Sequence, residues 1–269
     1  MTFQFKTFIF FIILFSSCNT GHLNNIADID SELKESSAIE LVKGSNLLWT
    51  IEDAGNKNNL YGLDLKGNIV KDIDISNAKN NDWEDLTSDD LGNIYIGDFG
   101  NNNKKRKKFT ILKVSNIDTI ENKANAEAIN FTLPKDVKSE DFEAFFLLDD
   151  VFYIFSKENK SSILLKVPNT IGDHVAELVT DFNLDGKHNK ITSAAVSSNG
   201  ETVVLLNHDK LWRLSNFKPD YFFKGTIEEL KFNHTSQKEG VCFKNDSIVY
   251  ITDEKNKSEG GNIYTFNMN

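Results

Sequence analysis

From Ile26 onward, apolar and polar residues alternate in short runs of Val, Ile, Leu, Phe and Tyr, bounded by Gly, Asn and Asp. That period of two marks half-buried strands, and helix-period segments are essentially absent. Five segments repeat one template: a polar or acidic opening, an apolar strand, a turn, then a β-branched and aromatic strand. They read SSAIELVKGSNLLWTIED from Ser36, DWEDLTSDDLGNIYIGD from Asp82, DFEAFFLLDDVFYIFSK from Asp141, ITSAAVSSNGETVVLLN from Ile191 and KEGVCFKNDSIVYITDE from Lys238. Two more strand-like runs follow each of the first four, such as FTILKV and EAINFTL after the second. The fifth is followed by NIYTFNM alone, one strand short, and residues 25–33 ahead of the first repeat supply the missing strand. The pattern predicts an all-β fold over 26–269: a five-bladed β-propeller of four-stranded blades, its ring closed by an N-terminal strand pairing with the last blade. Closure leaves only short, protected edges, and stacked neighbours bury the faces that no blade covers alone.

Ahead of the ring the pattern changes. Lys6 precedes an unbroken apolar run from Phe8 to Phe15, followed by Ser16, Ser17 and Cys18. The run is too short to cross ~30 Å of hydrocarbon, which takes roughly 20 apolar residues, and it suits a secretory signal with small residues at its cleavage site. Two serines followed by a cysteine resemble the bacterial lipoprotein signal. Residues 1–18 are therefore read as a lipoprotein signal peptide with Cys18 as the lipidated (palmitoylated) residue, and 19–25 as a tether. The expected location is the bacterial cell envelope, lipid-anchored to a membrane on its periplasmic or surface face. Cys242 is the only other cysteine, so no disulfide is expected. With 40 acidic against 30 basic side chains the formal charge is −10, which argues against a nucleic-acid partner, since phosphate binding needs a clustered positive surface.

Three openings carry a glutamate at the same place: Glu84 in WED, Glu143 in DFEAF and Glu239 in KEGVCF. Glu84 precedes Asp98 at the spacing by which Glu239 precedes Asp253. Together with the strands GNIYIGD, FYIFSK and IVYITDE, this template resembles the SdiA-regulated family of bacterial envelope propellers, which are NHL-like. The resemblance runs from Ile26 to Met268 and implies a five-bladed propeller with a bound calcium ion and no established reaction. The fourth repeat has Ser193 where an acid stands elsewhere, and the first has Ser37 or Glu40. A fully symmetrical acidic ring is therefore not expected.

In a propeller the first strand of each blade lines the central channel, so residues at its start converge near one mouth. Carboxylates gathered in a partly dry channel repel and raise one another's pKa. A cation removes that cost, and calcium accepts six to eight oxygen ligands in flexible geometry. Glu84, Glu143 and Glu239, with Asp98 and Asp253, are the expected metal ligands, and Asp82, Asp141 and Asn207 their neighbours. The same glutamates also read as acceptors for backbone N–H groups of adjacent blades, and that alternative stays open. The first functional reading is a module that binds a small ligand or an envelope protein at the mouth, more in keeping with the sequence than an enzyme. The alternative is a calcium-dependent hydrolase of lactonase or phosphoesterase type, for which His208 is an available base. A rigid scaffold is the third.

Other motifs carry less. DFNLDG from Asp181 opens like an EF-hand loop, but Thr192 stands in place of the closing glutamate, so it reads as an Asx-rich turn. Asp98-Phe99-Gly100 lacks the other kinase elements and reads as a turn. KKRKK from Lys104 reads as a solvated loop, with anionic head groups as its other available partner.

Overall fold

The computed structural model describes residues 20–184, 189–257 and 259–269. Among them are no α-helices, only two single turns of 3-10 helix, Ile117–Thr119 and Phe222–Lys224. The strands are β1 (Asn24–Asp28), β2 (Leu48–Thr50), β3 (Asn59–Leu63), β4 (Ile69–Ile75), β5 (Trp83–Ser88), β6 (Ile94–Asp98) and β7 (Lys108–Val114). Next come β8 (Lys123–Ala124), β9 (Glu127–Thr132), β10 (Phe142–Leu148), β11 (Val151–Ser156), β12 (Ser162–Pro168), β13 (Gly172–Val175) and β14 (Glu177–Phe182). The last are β15 (Ser193–Val196), β16 (Thr202–Leu206), β17 (Lys210–Ser215), β18 (Thr226–Lys231), β19 (Lys238–Asn245), β20 (Ile248–Asp253) and β21 (Asn262–Asn267).

They form five sheets, one per repeat: β2-β3-β4-β8, β5-β6-β7-β9-β13, β10-β11-β12-β14, β15-β16-β17-β18 and β19-β20-β21-β1, here blades 1 to 5. The fold is a five-bladed propeller, and the N-terminal strand closes it. β1 pairs antiparallel with β21, Asn24 opposite Thr265 and Asp28 opposite Asn262. Two blades depart from four regular strands. The innermost segment of blade 1 makes only isolated bridges, Ser36 to Glu52 and Glu40 to Trp49. Blade 2 gains β13 as a fifth, outer strand.

Five apolar clusters fill the five seams between blades. Side chains alternate along a strand, so the second strand of each blade feeds both of its seams. In β11, Phe152 and Ile154 pack toward blade 2 with Tyr95, Phe109 and Phe131. Tyr153 and Phe155 pack toward blade 4 with Val203, Leu205 and Trp212. In β20, Val249 and Ile251 face blade 4 while Tyr250 faces blade 1. Burial on both faces is why these strands read as unbroken apolar runs. Each fully buried Phe or Leu contributes about 1.5–3 kcal/mol relative to exposure, so the seams hold the ring together.

Each blade also grips the one before it. The connection between the third and fourth strands of blade 2 adds β8 to blade 1, parallel to β4, and that of blade 3 adds β13 to blade 2, parallel to β9. In blade 4 this connection sets Phe222 and Phe223 against Tyr153, Phe155 and Phe182 of blade 3. In blade 5 it is open: Leu23 and Met268 both enter the seam with blade 4, beside Phe232 and Leu211. The stretch expected as a tether is therefore already docked from Thr20, and Asn24 and Asn25 belong to β1. The signal segment with Cys18 lies outside the described residues, as do Asp185 and Gly186 of the EF-hand-like turn.

Candidate metal centre at the channel mouth

The inner strands of blades 2, 3 and 5 begin with one shared irregularity. Pairing steps from Trp83–Asp98 to Asp85–Gly97, from Phe142–Ser156 to Ala144–Phe155, and from Lys238–Asp253 to Gly240–Thr252. Two inner-strand residues thus oppose one on the partner, and the extra residues are Glu84, Glu143 and Glu239. A bulge of this kind re-aims a side chain that a regular pleat would send elsewhere. β15 of blade 4 has no glutamate and pairs without a shift, Ser193–Leu206 through Val196–Val203. There Thr192, like Ser37 in blade 1, donates its hydroxyl to a carbonyl of the next blade, Lys238 O and Glu84 O respectively, each at 2.7 Å. Glu40 sits at the other end of β5, where Ser88 Oγ donates to it at 2.6 Å.

Side chains just beyond the second strands complete the mouth. Asp53, Asp82 and Glu84 bring carboxylate oxygens within 4.8 Å of one another. Glu84 and Glu143 share a hydrogen bond, and Lys157 Nζ lies 2.9 Å from Glu143 Oε2. His208 Nε2 stands 3.1 Å from Glu239 Oε1, and Glu254 lies close enough to feel Glu239 and Asp53. In blade 2 the corresponding position is Phe99, fully buried and edge-on to Phe145.

Burial and crowding push these carboxyls up. Glu84 rises well above the usual range through burial and then Glu143; Glu143 rises to about 7 through burial, against the pull of Lys157. Asp82 rises to about 6 through burial and Asp53, and Glu254 to about 8 through burial and Glu239. Burial alone would lower Lys157, but Glu239 and Glu143 outweigh it and hold the ammonium charged. Lys157 thus feels Asp53, Glu84, Glu143, Glu239 and Glu254, while Arg106 is the cation that pulls on Asp82. The donors are hard oxygens, the set that calcium or magnesium prefers. Gly100 borders the cluster closely enough that a methyl there would overlap Glu84 Oε1 and the Asp82 carboxyl.

Among the sequence-expected ligands, the structure joins Glu84 to Glu143 and sets Glu239 near them through Lys157. Asp98 and Asp253 are engaged elsewhere. Asp98 holds Arg106 Nη2 at 2.9 Å and Asn81 Nδ2 at 2.8 Å. Asp253 is fully buried and accepts from Asn262 N at 2.8 Å and Tyr264 Oη at 2.9 Å. Asp141 accepts from Asn101 N at 2.8 Å, and Asn207 bonds the backbone of Lys190 and Asp209. Register explains the displacement. Asp98 and Asp253 pair directly with Trp83 and Lys238, the residues before the bulges, and one step along a strand changes the face. Repeat spacing therefore selects residues one step short of the mouth, where Glu254 and its counterparts Lys157, His208 and Asp53 stand.

Sequence reasoning missed Asp85. Its Oδ1 accepts Ser193 Oγ at 2.9 Å and Leu86 N at 3.0 Å; its Oδ2 accepts Phe145 N and Ala194 N, both at 3.2 Å. Ser193 Oγ in turn accepts Val241 N at 3.1 Å. One fully buried carboxylate thereby ties the inner strands of blades 2, 3 and 4, and blade 5 through Ser193. Burial raises its pKa well above the usual range, although four donors favour the charged form. Asp85 accepts N–H groups from adjacent blades, the role that the alternative reading gave to the glutamates. Its one sequence signal is WED itself, because the matching positions in the other bulged strands are the small Ala144 and Gly240.

No family model matches the chain, and no curated protein matches its sequence. Among solved structures, a chain of a nidogen/laminin complex resembles it with a TM-score of 0.50 and 11% identity, over 82% of this chain and 72% of that one. The PQQ-bound aldose sugar dehydrogenase of Streptomyces coelicolor resembles it with a TM-score of 0.55 and 8% identity, over 91% of this chain and 97% of that one. At such identities the likeness carries architecture alone: this chain is a β-propeller, with five blades.

Proposed function

We propose that the protein is a lipid-anchored binding module of the bacterial cell envelope, of the SdiA-regulated type, whose mouth holds a calcium ion and receives a small ligand or an envelope protein. The observation that carries this reading is the delivery of glutamates from three blades to one mouth by matching bulges. Without a cation, burial and the neighbouring Glu143 hold the Glu84 carboxyl well above the ordinary carboxylate range. Asp53, Asp82 and Glu84 would hold the ion, with Glu143 beside them, and the ion would supply a positive centre that grips an anionic group. Lys157 keeps Glu143 in place. A propeller is a rigid support for such a cup, and what it binds is decided by the cup. No helix among the described residues is long and apolar enough to cross a membrane; in this reading the lipid at Cys18 provides the attachment.

The test is a melting curve of metal-stripped protein with calcium or with chelator. Calcium at 100 times its Kd adds about 2.7 kcal/mol, or roughly 5–10 °C for a chain of this size. Wild type is expected to show that gain, and Glu84→Gln to lose it while melting higher than wild type in chelator, because a repelling charge is gone. An unchanged wild-type curve with no ion by elemental analysis overturns the reading.

A second reading, hydrolysis of a lactone or phosphoester, draws on the imidazole of His208 held by Glu239 at the rim. A base so oriented, beside a metal, can activate water. Turnover of such esters that disappears in His208→Ala would support it, and equal activity in both proteins would remove it.

A further inference from the structure

The ring closes over a cavity. Leaving β1, the chain crosses into blade 1 through residues 29–35. That crossing, with β3, β4 and the β2–β3 loop, encloses about 650 Å³, within the ~300–1,000 Å³ of small-molecule sites. Its walls are already tied together. Asp53 N donates to Glu35 O at 3.1 Å, Lys34 N to Glu52 Oε1 at 3.2 Å, and Lys255 N of blade 5 to Lys34 O at 2.9 Å. Leu33, Tyr61 and Ile69 form the apolar side, part of the cluster in the seam between blades 5 and 1. Three carboxylates around the space are each braced by a neutral donor. Asn56 Nδ2 donates to Glu35 Oε2 at 2.6 Å, Asn59 Nδ2 to Asp72 Oδ1 at 2.5 Å, and Tyr61 shares a hydrogen bond with Glu52. Glu52 is buried, while Lys34 and Lys57 bring ammoniums to the rim. The candidate metal ligands Asp53, Asp82 and Glu84 do not line this space.

We propose that this cavity is a second ligand site, separate from the mouth, and that it takes a neutral sugar. A hydroxyl donates one hydrogen bond and accepts others, so a ligand built of hydroxyls needs donors and acceptors side by side. The cavity supplies them in pairs. Glu35 and Asp72 each keep free lone pairs beside an amide, and the Lys34 and Lys57 ammoniums add donors at the rim. Leu33 and Ile69 offer the apolar surface on which the C–H face of a sugar ring rests. Charged ligands fit less well. An anion would meet the carboxylates of Glu32, Glu35, Glu52 and Asp72, and a cation would meet Lys34 and Lys57 beside carboxylates that already hold partners. A neutral molecule is repelled by neither set. Because the walls are fixed by bonds already made, little ordering has to accompany binding. The site does not depend on calcium at the mouth.

The experiment is isothermal titration calorimetry on the full chain in detergent, with chelator present. Glucose, galactose and N-acetylglucosamine are the probes, and spermidine and citrate the charged controls. At least one of the sugars is expected to bind with a Kd of about 1 mM or tighter, and neither control to bind. Asp72→Ala on β4 and Asn56→Ala on the β2–β3 loop are expected to weaken that binding at least tenfold while melting as wild type does. Should either melt lower, Lys57→Ala, exposed at the rim, repeats the test with a loss of binding again expected. Affinity unchanged in these variants overturns the placement. No binding by any of the three sugars, or tighter binding of spermidine or citrate, overturns the ligand class. Sugar binding that appears only when calcium replaces the chelator moves the ligand to the mouth; it overturns this site and leaves the calcium reading standing.

Discussion

Glu84 and Asp85 are chain neighbours in opposite surroundings. Glu84 turns through its bulge toward other carboxylates, while Asp85 is enclosed by four donors from three blades. An amide cannot replace the Asp85 carboxylate, because its NH2 would meet donors on whichever side it lay. Asp85→Asn is therefore expected to cost about 2–4 kcal/mol, within the range for breaking a buried polar network. Urea denaturation measures this, and a loss below about 0.5 kcal/mol, the size of an ordinary surface change, would show that the carboxylate does not tie the blades. At this scale the sequence is legible where a residue recurs. Glu84, Glu143 and Glu239 repeat from blade to blade and stand out. Asp85 occurs in one blade only, so no repeat marks it, and its importance comes from lying where all blades meet.

Among elements, the second strands were the clearest to read. VFYIF and IVYIT are buried on both faces, so their apolar runs declare both the strand and its two seams. The bulges were not legible, because an extra residue leaves composition unchanged and only shifts which side chains face the axis. That shift is the reason Asp98 and Asp253 seemed to accompany the glutamates. The clasping strands escaped notice for another reason: β8 has two residues, too few to show any period. Gly240 tests the closeness of the inner strands, since a methyl there would overlap Thr252 Oγ1 and the backbone of Ala38 and Ile39 in blade 1. Overpacking of a tight core typically costs about 1–3 kcal/mol, and the immovable backbone places Gly240→Ala at the upper end. Thermal melting is the check; a variant as stable as wild type would mean that blades 5 and 1 do not meet so closely.

At the scale of the whole molecule, the mouth concentrates charge that the ring must hold together. In metal-free protein, Asp82, Glu143 and Glu254 have pKa values raised to about 6, 7 and 8, and burial with Glu143 beside it pushes Glu84 well above the ordinary range. The folded state then binds more protons than the unfolded one from the ordinary carboxylate range up to about pH 8, so stability falls as pH rises through that window. Lys157, also raised, keeps its contribution throughout, because it is lost only above the unfolded lysine pKa. Chelated protein is expected to melt several degrees lower at pH 8 than at pH 5.5, and calcium to flatten the difference. A melting point that climbs over this range in chelator would contradict the crowding. The number of blades and the closing strand were readable from repeats because a ring is made of copies; the seating of the N-terminal turn on blade 4 was not, because it is a single contact outside every repeat.

The most direct measurement is a high-resolution electron-density map of the mouth from crystals grown with calcium, with anomalous data to identify the ion. The account predicts one anomalous peak at about 2.3–2.6 Å from oxygens of Asp53, Asp82 and Glu84, as calcium requires. No peak there, with Glu84 and Glu143 still sharing their hydrogen bond, would contradict it.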